Sequence, residues 1–182
     1  MATLVIADTP RPLALSLLVT ILSASYSEYK ALYLTYADKA VPQVALEERQ
    51  LKRILVKFIS SQEALRNYLA DLHLSREVPI AIAIDALNLD FNALDELRGT
   101  LALVANLGSI LPPTTKILVV AQSEELELSE VWQVYSRFFA EVYVLKRLET
   151  MTQLYLIDSS EGRFELKVCR DPVFSSALDK LH

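Results

Sequence analysis

The sequence predicts an α/β fold: a mostly parallel central sheet with helices on both faces and an antiparallel strand meander at its C-terminal end. Three observations predict it. Short apolar runs alternate with helical segments as far as Gln122, the order that builds parallel βα units. One of those runs, "PIAIAID", is unbroken, as a central strand covered on both faces requires. After Gln122 the runs alternate apolar and polar residues with period two around "SSEGR", where Gly162 supplies a turn. At 182 residues the chain suits one domain over 1–182, with the parallel part to about 122 and a helix and meander over 123–182.

The elements follow in order. Val5-Ile6 closes a first strand at Asp8, and Thr9 caps a helix that has Pro10 at its first position. "KALYLTY" is a second strand, and "PQVALEERQLKR" a short helix with acidic residues early and basic ones late, matching the helix dipole. "ILVKFI" is a third strand. "SSQEALRNYLADLHL" opens with Ser60 and Glu63 in capping-box spacing and carries Leu65, Leu69 and Leu72 as one apolar stripe. "PIAIAID" is the fourth strand, followed by a helix from about Asn92 to Leu107. Pro112 and Pro113 then stop the chain before the fifth strand, "KILVVAQ". "SEVWQVYSRFF" reads as a short amphipathic helix, and "EVYVLKRL", "QLYLID" and "FELKVC" as the closing strands.

Composition narrows the function. Hydrophobic residues make up 52% of the chain and the mean hydropathy is +0.28. The longest apolar stretch, Leu13 to Ala24, is interrupted by Ser16, Thr20 and Ser23 and is too short to span a bilayer. It is not a signal peptide either, because Arg11 and two prolines stand where one needs continuity. The single cysteine, Cys169, excludes an internal disulfide and a cysteine-based zinc site and fits an intracellular compartment. A net charge of −5 gives no general attraction to nucleic acid or to anionic lipid. His73 and His182 are isolated, with no partner set for catalysis or metal binding.

Four stretches, in order, carry a family resemblance: "KALYLTYADKA", "FISSQEALRNYLADL", "IAIAIDAL", and "KILVVAQS" with the closing meander and "KVCRDPVFSS". Together they resemble the ATPase core of the RecA-like recombinases, especially the eukaryotic strand-exchange recombinase and its paralogues. The resemblance implies a RecA-like core in which Asp85 ends a Walker-B-like strand. Two departures stand out. Where a Walker A loop has glycines, a lysine and a Ser/Thr, this chain has "ADTPRPLALS", whose prolines remove amide donors. The second strand ends "LTYAD" in place of Asp-x-Glu, so the activating carboxylate is missing. The expectation is a protein that is not an ATPase and binds no cofactor in cis.

The resemblance also implies a nuclear protein in homologous recombination. It would be a mediator or Shu-type subunit, heterodimeric with a paralogue whose intact Walker A holds ATP-Mg, and acting on recombinase filaments. The expectation is a core that starts on the first strand with no N-terminal domain, which would suit a partner or end-cap better than a filament former. Asp171 and Pro172 stand where the family caps ATP bound by the adjacent protomer; without the resemblance they are an ordinary turn. The family's two DNA loops correspond to "ALNLDFN" and "SEELELSEVW". The second carries Glu124, Glu125, Glu127 and Glu130 and repels phosphate, so DNA contact is expected only through the complex. Lys146, Arg147, Arg163, Lys167 and Arg170 form a modest basic group, more simply a solvated sheet face. Trp132, Tyr135, Phe138 and Phe139 are either core or a partner-binding ridge. An accessory RecA-like subunit of the Elongator tRNA-modification complex is the alternative.

Overall fold

The computed structural model describes residues 2–7, 10–25, 28–36, 48–75, 77–85, 94–122, 135–147, 152–160 and 163–168. Eight strands form one sheet: β1 (Ala2–Ala7), β2 (Ala31–Tyr36), β3 (Ile54–Ile59), β4 (Ala81–Ile84), β5 (Lys116–Gln122), β6 (Glu141–Arg147), β7 (Thr152–Ser160) and β8 (Arg163–Val168). Their spatial order is β3-β2-β4-β5-β1-β6-β7-β8. Every junction from β3 to β6 is parallel, and β6-β7 and β7-β8 are antiparallel. The parallel part therefore extends one strand further than the sequence suggests, because β6 pairs with β1 before the chain turns back. The helices are α1 (Pro10–Ser23), α2 (Glu48–Leu51), α3 (Gln62–Asp71) and α4 (Leu94–Ile110), with a 3-10 turn at Leu72–Leu74. Among the described residues, no helix is long and apolar enough to cross a membrane.

Strand alternation sorts the core into two layers. Leu32, Leu34, Ile82, Ile84, Ile117 and Val119 face α3 and α4, whose Leu65, Leu69, Leu101 and Val104 are buried against them. Tyr33, Ala81, Ala83, Leu118 and Val120 face α1 and pack with Leu13, Leu17, Leu18 and Leu22. Each fully buried leucine contributes about 1.5–3 kcal/mol relative to exposure. From Leu13 to Leu22 only Ile21 is not buried, which explains why α1 lacks a polar stripe. Its buried Thr20 hydroxyl donates to Ser16 O at 2.9 Å, so the polar atom does not penalise burial.

Helix boundaries differ in three places. The cap of α3 is Ser61, not Ser60: Ser61 is extended (φ −160°, ψ 167°) and its Oγ accepts from Ala64 N–H at 3.1 Å. The capping reach is three residues, and from Ser61 that falls on Ala64. The helix expected to end near Leu107 runs on to Ile110, since Gly108 is tolerated in its last turn and Pro112 ends it. Of the helix expected over "PQVALEERQLKR", α2 is the described portion, tied by a Lys52–Glu48 ion pair of 2.7 Å. Thr9, Cys169 and Gly162 lie outside the described residues, as does most of "SEVWQVYSRFF".

Candidate functional site

In a parallel sheet all strand carboxyl ends share one rim, and ligands of such folds bind there. Asp85 sits on that rim, immediately after β4, and is 6% exposed. The local sequence dictates its direction. Ala81 and Ala83 point to α1, so the next residue of the same parity, Asp85, points to that face as well. Tyr33 on the neighbouring β2 shares the face, and its hydroxyl donates to Asp85 Oδ2 at 2.5 Å. The Asp85 N–H continues the ladder by donating to Leu34 O at 3.0 Å. The Asp85 carboxylate is thus engaged from within by a fully buried tyrosine of the adjacent strand.

The rest of the rim is polar in small amounts. Thr35 is fully buried, and its hydroxyl has no hydrogen-bond partner among the described residues. Tyr36 turns to the opposite face, where its hydroxyl accepts from Gln62 Nε2 at 2.6 Å and ties the end of β2 to the start of α3. β1 ends at Ala7 and α1 begins at Pro10, leaving two residues between strand and helix. Among the described residues, no three His, Cys, Asp or Glu side chains converge on a common point that could hold a metal ion.

The aromatic group divides. Tyr135 and Phe139 are buried with the α3/α4 layer, and Phe138 is partly buried against it. Burial pushes the Tyr135 phenol well above its ordinary value, so it stays neutral through the physiological range. The N–H groups of Phe138 and Phe139 both donate to Tyr135 O, and Ala140 N–H donates to Ala2 O, which anchors this turn to β1. Trp132, Asp171, Pro172, Arg170 and the segments "ALNLDFN" and "SEELELSEVW" lie outside the described residues. Of the basic group, Lys167 is exposed on β8.

At the opposite rim, a cavity of about 500 Å³ is lined by Ser23, Lys30, Arg49, Gln50, Lys52 and Arg53. Most of its charge is already used: Lys30 pairs with Glu77 at 2.6 Å and Lys52 with Glu48. Arg53 donates from Nη1 to Leu22 O and from Nε to Tyr29 O, closing the C-terminal end of α1.

Sequence reasoning found Asp85 but not its partner. The signal was present: Tyr33 is the one aromatic of β2 with the parity that meets Asp85. Neither known family models nor curated proteins of known function gave a match to this chain.

Proposed function

We propose that this protein is a non-catalytic, RecA-like recombinase paralogue that pairs with an ATP-binding paralogue to bind or remodel recombinase filaments on single-stranded DNA. The observation that carries the reading is the rim at Asp85. A Walker-B-like aspartate stands at the carboxyl end of β4, in a sheet whose parallel core is continued by an antiparallel meander. That is the arrangement the resemblance implies. Its carboxylate accepts from Tyr33, and the connection from β1 to α1 is two residues long. A Walker A loop needs a longer, glycine-bearing connection to wrap phosphate oxygens. The rim therefore supports a scaffold that has kept the strand and given its carboxylate to internal bonding.

On this reading the mechanism is binding. The core docks on the ATP face of a neighbour, and Asp171 and Pro172 lend the cap in trans over ATP-Mg held by that neighbour. A complex that favours one state of a filament end shifts its population by the difference in affinity for the two states. Nothing need be hydrolysed by this chain.

Purification from the native cell, with identification of the stoichiometric co-purifying chain, tests the reading. A recombinase paralogue with an intact Walker A is the expected result. Two other RecA-like subunits in a ring would replace it with the Elongator-type alternative, and calorimetric ATP binding by the isolated chain would overturn both. In the reconstituted pair, Asp171→Ala with Pro172→Ala is expected to weaken ATP retention by the partner while leaving thermal unfolding of this chain unchanged. Unaltered nucleotide affinity would remove the cap from the mechanism.

A further inference from the structure

We draw no further inference here: the strongest candidate, the cavity at the amino-end rim of the sheet lined by Lys30, Arg49, Lys52 and Arg53, carries nothing because Lys30 and Lys52 are already paired with Glu77 and Glu48 and Arg53 is bonded to Leu22 O and Tyr29 O, which leaves nothing in the structure to say what would fill it.

Discussion

β4 and β3 are both short apolar runs, "AIAI" and "ILVKFI", yet they live in different surroundings. β4 is buried at every position, between β2 and β5 and under helices on both faces. β3 is exposed from Leu55 through Phe58 and meets a neighbour on one side. The difference shows that hydrophobicity specifies a strand but not its place in the sheet. Place is set by pairing order and by where the helices fall. α1 and α4 contribute their apolar faces to the middle of the sheet and leave the β3 end bare. What marks an edge in the sequence is a charge inside the run, here Lys57.

Truncating one residue on each strand breaks this comparison most sharply. Ile82→Ala, in the fully buried β4, is expected to cost about 2–5 kcal/mol through lost burial and the cavity left behind. Leu55→Ala, half exposed on β3, is expected to cost under about 1 kcal/mol. Denaturant unfolding of the two variants measures both values. Equal losses would mean that β3 is covered in solution.

The tyrosine between the two strands gives the next largest effect. Tyr33 lies on β2, which pairs with both β3 and β4, and its hydroxyl donates across to Asp85. Tyr33→Phe keeps the ring and removes the donor from a buried carboxylate, at an expected cost of about 1–3 kcal/mol. Because the donor is lost at the β4 side, the variant should raise amide exchange at Ile84 and Asp85 and leave β3 unaffected. Changes spread evenly along both strands would mean that the hydroxyl matters for packing and not for Asp85.

Much of the sheet was readable in advance, and the reasons are local. Alternating βα signals, the proline stop at Pro112 and the period-two runs after Gln122 each act within a few residues, so the strands emerge in their proper order. The stripe Leu65, Leu69 and Leu72 was legible for the same cause and is buried as expected. Asp85 was legible as the polar end of an apolar run. Its bond to Tyr33 was not, because it spans 52 positions of sequence and depends on β2 and β4 becoming neighbours. The parallel pairing of β6 with β1 was hidden likewise, since period two fits either direction. Ser61 shows a smaller failure: two adjacent serines can both cap a helix, and only backbone geometry chooses between them.

The smallest effect lies at the amino ends of β2 and β4, where Lys30 and Glu77 precede the two strands. Their contact of 2.6 Å is exposed to solvent. The Lys30 hydrogen bond, and then its charge, hold the Glu77 carboxyl below the usual value of 4.5. A carboxyl with a lowered folded-state pKa contributes stability above its unfolded value, and loses it as pH falls through the folded one. The window is therefore the acid side of 4.5. Lys30→Met is expected to lower the thermal midpoint slightly at neutral pH and not at strongly acid pH, with the neutral difference shrinking in high salt. A difference that persists at acid pH would assign Lys30 a packing role through its methylenes. That outcome would sharpen the contrast between strands in another way, because the stem of Lys30 would then cover the groove beside Leu55 that otherwise lies open.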